Sequence, residues 1–181
     1  MTDAEARAIL DFWLDEVGPE RWWTRSDAID AAVATRFAGL WERERHRPAT
    51  DFLGSAAQAF AAVLLFDQYS RNLFRDDARA FATDELARTI ARAMVARGFD
   101  RDIDAAPRIF VYMPFMHSES LADQLWSLAF FQTLDNADSL DSARQHLAMI
   151  LRFGRFPHRN RMLGRADRPG EAEAIREGGQ W

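Results

Sequence analysis

The sequence predicts an all-α protein of about seven or eight helices. Three observations lead there. Apolar residues recur at i, i+3 and i+4 along most of the chain, the period of a helix that buries one face. The punctuation is helical, with Ser, Thr and Asp ahead of the apolar runs and Gly or Pro after them, as N-caps and C-caps require. No pair of segments alternates as strands do: FVYM at 110–113 is β-like in composition but short and isolated.

Taken in order, Thr2-Asp3-Ala4-Glu5 fits a capping box, and Ala6, Ile9, Leu10, Trp13, Leu14 and Val17 form one stripe that Gly18-Pro19 ends. Trp22 and Trp23 fall in the connection and are expected to plug the edge of the core. A second helix starts near Ser26 or Asp27 and carries Ile29, Val33, Phe37, Leu40 and Trp41 on one face, before the charged run Glu42–Arg47. The third, about Ser55 to Leu73, is apolar nearly all round in AAQAFAAVLLF, the mark of a central buried helix. A fourth opens at Thr83 and closes at Gly98. Residues 104–116 are apolar and interrupted by Pro114. A helix opens near Ser118 and runs to about Leu134, and another spans about Ser139 to Phe153, with Gly154 beyond its end. Pro157 suits the first turn of a short helix closed by Gly164. Residues 1–165 read as a single α-helical domain, and 166–181 as a C-terminal extension with one short helix and a loose last four residues.

Composition narrows the chemistry. The 181 residues include no cysteine and no lysine; all 23 cationic side chains are arginine. Disulfides, thiolate zinc sites, thiol nucleophiles, Schiff bases and the P-loop lysine are therefore excluded. The acidic start lacks the basic region of a secretory signal. The longest apolar run, Ala59 to Phe66, is far below the roughly 20 residues that span a bilayer, so a cytoplasmic chain without membrane partners is expected. The net charge is −5, yet residues 141–165 hold six arginines and one acid. A basic segment inside an acidic chain points to an internal electrostatic partner or a local anion site. It is too short to read as a nucleic-acid footprint.

Three polar blocks could carry chemistry. In DQYSRNLFR (67–75), Asp67 and Arg71, Gln68 and Asn72, and Arg71 and Arg75 are each four apart and stack along one helix. Asp67 continues the apolar stripe of Phe60 and Val63, so it is partly buried and needs a partner: Arg71 locally, or an arginine of 152–165. In HSESLADQ (117–124), Ser118 or Ser120 suits an N-cap and Glu119 a first turn; the functional alternative makes His117 and Glu119 acid/base groups, or metal ligands if His146 or His158 converges on them. In RFGRFPHRNRMLGR (152–165), Arg155, Phe156, His158, Arg159 and Asn160 crowd a corner where guanidinium groups and free N–H groups at a helix start would hold a phosphate or carboxylate. The alternative there is that Asp67, Asp76, Asp77 or Glu119 supplies the anion. His46 lies in a solvated run, and His146 reads as a packed or rim histidine. No metal site and no cofactor are expected.

The segments LLFDQYSRNLFR, FVYMPFMHSESLADQ and RFGRFPHRNRMLGR, with ILDFWLDEVGPERWW and AFATDELARTIARAMVARGFD, resemble the signature blocks of a bacterial and eukaryotic family known only as a domain of unknown function, within the tetratricopeptide-repeat-like helical superfamily. The resemblance covers about residues 8–165. It implies a TPR-like array of antiparallel helices around a central buried one, and no known activity. Matching positions are Asp67, Gln68, Ser70, Arg71, Asn72 and Arg75, then His117, Ser118, Glu119 and Gln124, then Arg152 to Asn160 with Gly164 and Arg165. After Arg165 the chain departs: Ala166-Asp167-Arg168-Pro169-Gly170-Glu171 stands where the family resembles a Ser/Thr-Pro-Glu-Glu helix start.

Three functions follow as expectations. The first is binding of an anionic small molecule or peptide carboxylate, with Gln68, Arg71, Asn72, Arg75, Ser118, Gln124, Arg155, Arg159, Asn160 and Arg165 as ligand-binding residues. The second is a hydrolase or lyase acting on an anionic substrate. His117 or His158 would be its general base, oriented by Asp67 or Glu119. The third is a protein-interaction scaffold whose Arg/Asp/His network is purely structural.

Overall fold

The computed structural model describes residues 1–177; the loose end expected at 178–181 lies outside the described residues. Every regular element among those residues is a helix. The chain divides into two compact units, residues 1–114 and 115–181.

In the first unit, α1 (Asp3–Leu10) is capped by Thr2 and Glu5 in the reciprocal arrangement the sequence predicts. It widens into a π-helical segment, Asp11–Val17, closed by Gly18 with φ 72°. The i→i+5 turn shifts the inward stripe by one position. Phe12 joins Trp13 and Val17 inside, whereas Leu10 and Leu14, which straight α periodicity places in the stripe, are only half-buried. The Trp13 carbonyl accepts from the Gly18 N–H and from Trp22 Nε1 at 2.8 Å. Trp23 does not plug the core: it stands 58% exposed, its ring stacked on Phe110.

Ser26 caps α2 (Asp27–Glu44), which buries Ile29, Val33, Phe37, Leu40 and Trp41 as expected, and Glu44 besides. Glu44 is kept inside by the Met1 ammonium and Arg47 on Oε2, at 2.9 and 3.2 Å, and by Arg43 on Oε1 at 2.8 Å. The central helix is a composite of α3 (Ala56–Val63), a π-helical segment Leu64–Tyr69, and α4 (Ser70–Leu73). Every residue from Ala59 to Tyr69 is buried, polar Asp67 and Gln68 included. Burying each of Phe60, Phe66 and Leu65 contributes about 1.5–3 kcal/mol. Backbone groups that a π turn leaves over must bond elsewhere, and they do. The Phe66 carbonyl accepts Thr83 Oγ1 at 2.7 Å and Ser70 Oγ at 2.9 Å, and Tyr69 Oη reaches back to the Ile9 carbonyl at 2.9 Å. Packed on this run are α1 and α5 (Asp84–Arg97), the latter ended by left-handed Gly98. The helix α6 (Ile109–Met116) continues through Pro114, at the loss of one backbone rung.

The second unit is built on a hairpin of α7 (Leu121–Phe131) and α8 (Ala137–Phe153). Asn136 caps α8 through the Ser139 N–H, and Gly154, at φ 69°, ends it. That left-handed conformation disfavours a side chain and turns the chain into the short 3-10 helix Pro157–Arg159. The tail forms α9 (Glu171–Arg176), which buries Glu171 and Ala174.

Candidate functional site

Each unit carries part of the predicted polar set. In the first, Asp67 and Gln68 belong to the π-helical segment, and Gln68 Nε2 donates to Asp67 Oδ2 at 2.6 Å. The four-residue spacing brings Arg71 Nη1 within 3.4 Å of Asp67 Oδ1, as expected. Arg71 also bonds the Asp67 carbonyl at 2.6 Å and grips Asp84 with both terminal nitrogens, at 3.0 and 3.2 Å. Asn72 and Arg75 serve a different carboxylate. Asn72 Nδ2 lies 2.7 Å from Asp30 Oδ1, while Arg75 binds Asp30 through Nε and Nη2. Burial pushes the Asp30 carboxyl up, but the Arg75 and Asn72 hydrogen bonds outweigh it and hold the group below its ordinary value.

In the second unit the polar residues line the interior. Ser118 Oγ donates to Asp123 Oδ2 at 2.8 Å and accepts from the Ser120 N–H. Ser120 occupies the N-cap position without a side-chain bond, so the serine beside His117 does the local work. Gln124 Nε2 donates to the carbonyls of Met116 and Ser118, both at 2.7 Å. Glu119 is not in the first turn of α7. Its carboxylate instead accepts Arg165 Nη1 and Nη2 at 2.8 and 3.0 Å and the Phe156 N–H at 2.8 Å. The backbone donor at the 155–160 corner is thus met by a carboxylate of the chain. Burial raises the Glu119 carboxyl, and Arg165 and that N–H more than reverse the effect.

Arg155 makes a bidentate pair with Glu171, Nε–Oε1 at 2.8 Å and Nη2–Oε2 at 2.7 Å. Glu171 also accepts Asn160 Nδ2 at 2.9 Å and the Arg168 N–H at 2.7 Å. These donors, Arg155 foremost, lower its pKa to about 2. Arg159 Nη2 donates to the His117 carbonyl at 2.9 Å, and its guanidinium lies 4.7 Å over the Phe156 ring. Phe156 also meets the rings of His146 at 5.4 Å and His158 at 5.7 Å, and His117 is 6.3 Å from His146. His146 is buried. Desolvation first, then the positive charge of His117, lowers its pKa to about 3 despite the Nδ1 bond to the Ser142 carbonyl.

Sequence reasoning missed Asp30, Asp84, Asp123 and Glu171. Asp30 and Asp84 lie in the first turns of α2 and α5, where an acid suits the helix dipole and gives no sign of a distant arginine. Asp123 and Ser127, with Gln124, form a polar stripe at i, i+1 and i+4 that is legible in the sequence; its inward orientation is not. Among the described residues, no three His, Asp or Glu side chains are grouped to hold a metal ion, and no helix is long and apolar enough to cross a membrane.

A helical chain whose arginines are tied pairwise to its own carboxylates is the class these observations define. The chain belongs to a family of bacterial proteins of unknown function, DUF924, whose model matches residues 9–179. Its fold is similar to the solved structure of ATU0120, a protein of unknown function from Agrobacterium tumefaciens. The two are 37% identical over 98% of this chain and 100% of that one, with a TM-score of 0.92. No curated protein matches the chain.

Proposed function

We propose that this chain is a protein-docking module whose buried polar clusters are internal struts. One observation carries the reading: α7 is inverted. Its buried positions are Asp123, Gln124, Ser127 and Phe131, while Leu121, Leu125 and Trp126 are 46%, 55% and 53% exposed. A surface helix ordinarily turns the other way. Large apolar side chains gathered on one exposed face mark an interaction surface. The only charge on α7 is buried Asp123, so the occupant is an apolar protein surface recognised by packing. The struts support the same reading: Arg71, Arg75, Arg155 and Arg165 each hold a carboxylate of their own unit. The TPR-like array implied by the family resemblance is part of this proposal, since stacked helix pairs leave faces open to partners.

The test is photocrosslinking in cells from a benzoyl-phenylalanine at position 125, with position 145 on the exposed side of α8 as control. A discrete adduct from 125 that Trp126→Glu abolishes is expected. No adduct, or equal adducts from both positions, overturns the reading.

A second reading, binding of an anionic small molecule, is favoured by the gathering of His117, His158 and Arg159 around Phe156 and His146. The hydrolase or lyase alternative uses the same histidines. A thermal-shift panel of phosphorylated and carboxylated metabolites tests it. A rise that disappears in Arg159→Gln is expected, and a panel in which no compound raises the midpoint overturns it.

A further inference from the structure

Residues 166–177 lie on the second unit as a strap held mainly by two carboxylates. Asn160 Nδ2 donates to Asp167 Oδ1 at 2.8 Å, and Arg155 Nε, Arg155 Nη2 and Asn160 Nδ2 converge on Glu171. Arg155 Nη2 also reaches the Ala166 carbonyl at 2.7 Å, and Arg168 Nη1 the Phe153 carbonyl at 3.3 Å. Little apolar surface adds to these bonds. Ala174 is the one buried apolar side chain of the strap and Ile175 is half-buried; apart from Glu171 the rest is exposed. Among the described residues, the backbone–backbone bonds of 166–177 run within the segment itself. A segment with so few buried apolar contacts opens at a lower cost than its unit unfolds.

The surface beneath the strap suits an anion without it. Residues 152–165 contain five arginines and no acid, whereas 166–177 contain four acids and two arginines. An arginine fork joined by further N–H donors is the geometry that recognises a carboxylate. These donors stay in place when the strap leaves. Arg155 follows the Gly154 that ends α8, and Asn160 follows the short helix Pro157–Arg159. The strap also leaves part of this corner unserved. Asn160 is 1% exposed, and its Oδ1 has no hydrogen-bond partner among the described residues. A peptide that brings an N–H to that oxygen makes a bond the strap does not, and relieves a buried acceptor.

We propose that the corner of Arg155 and Asn160 is a docking site for an acidic peptide segment of a partner protein, and that residues 166–177 occupy it from within the same chain as a built-in competitor. An incoming segment with two acids four residues apart, as Asp167 and Glu171 are, engages both sets of donors. Recognition of acidic segments by arginine clusters is a general mode. The tether gives the strap an effective concentration on the order of millimolar, so the wild-type site yields only to a segment that outcompetes it. This polar corner is separate from the apolar face of α7, and each can fail without the other.

The probe is a fluorescein-labelled peptide of residues 166–177, ADRPGEAEAIRE, titrated with the full chain and followed by anisotropy. Glu171→Gln removes the charge that seats the strap, and this chain should bind the peptide at least about ten times tighter than wild type. Adding Arg155→Gln to that variant should abolish binding, as should Glu171→Gln in the peptide. Inorganic phosphate and free glutamate at millimolar concentration and fixed ionic strength should not displace the label. A second measurement needs no variant to fold. In isotope-labelled wild type followed by magnetic resonance, unlabelled peptide at millimolar concentration should speed hydrogen exchange at 172–176 and leave the amides of α8 unchanged.

Equal affinity for wild type and Glu171→Gln overturns the proposal, as does binding that survives Arg155→Gln, or no binding to either chain. If phosphate displaces the peptide, the corner takes small anions and the acidic segment is wrong. If 172–176 exchange only together with α8, or the peptide leaves their exchange unchanged, the strap does not open and the built-in competitor is wrong.

Discussion

Replacing Arg155 by alanine should be among the most costly single changes in the second unit. Glu171 is fully buried, and Arg155 supplies two of its four hydrogen bonds, at 2.8 and 2.7 Å. Breaking a buried pair from one side strands a charge and costs about 3–5 kcal/mol. Asn160 and the Arg168 N–H still serve Glu171 in the variant, which puts the expectation at the lower end, about 3 kcal/mol. The exposed pair Arg79–Asp77, with side chains 63% and 39% accessible, is the internal control: Arg79→Ala should leave the urea midpoint almost unmoved. Urea unfolding of wild type, both single variants and the double variant Arg155→Ala/Glu171→Ala measures all of this. The double variant should recover part of the loss, because it removes the stranded carboxylate. If Arg155→Ala costs no more than Arg79→Ala, the pair is screened by solvent and the strut argument is wrong.

Two further outcomes follow from buried groups. His146 titrates near 3 in the folded chain and near ~6.5 when unfolded. Between these values the unfolded state binds a proton that the folded state refuses. Stability should therefore fall as the pH drops from about 6.5 toward 3, by about 1.4 kcal/mol per unit; His146→Gln should flatten the slope between pH 7 and pH 5 in urea titrations, and an unchanged slope refutes the assignment. Ser127 is fully buried and its hydroxyl has no hydrogen-bond partner among the described residues, so Ser127→Ala should stabilise the chain by about 1 kcal/mol. Calorimetry checks this, and a lowered midpoint would show that the hydroxyl is bonded.

Local signals carried far into the fold. The caps at Thr2 and Ser26, and the stops at Gly18, Gly98 and Gly154, place helix ends because each meets a backbone requirement its neighbours cannot, whereas α8 opens at the Asn136 cap, ahead of the Ser139 start that periodicity suggests. The apolar surround of residues 59–66 marks the central helix for the same reason: a segment with no polar face has nowhere to be but inside. The π-helical segments at Asp11–Val17 and Leu64–Tyr69 were not legible. An i→i+5 turn persists only where distant groups, such as the Thr83 hydroxyl on the Phe66 carbonyl, donate to the acceptors it leaves over.

The candidate site divides along the same line. That Asp67 is buried and that Arg71 reaches it follow from spacing within one helix. That Arg155 meets Glu171, and Arg165 meets Glu119, follows from nothing local, since 16 and 46 residues separate the partners. The sequence by itself determined an all-helical chain, the ends of most helices, its central helix, and an arginine-rich segment in need of anions. Only the tertiary structure decided which carboxylates answer those arginines, and which face of α7 points inward. Periodicity defines two faces of a helix and assigns neither. On α7 the interior already holds Asp123, bonded by Ser118 Oγ, and Gln124, which donates to the Met116 and Ser118 carbonyls, so Leu121, Leu125 and Trp126 are turned out.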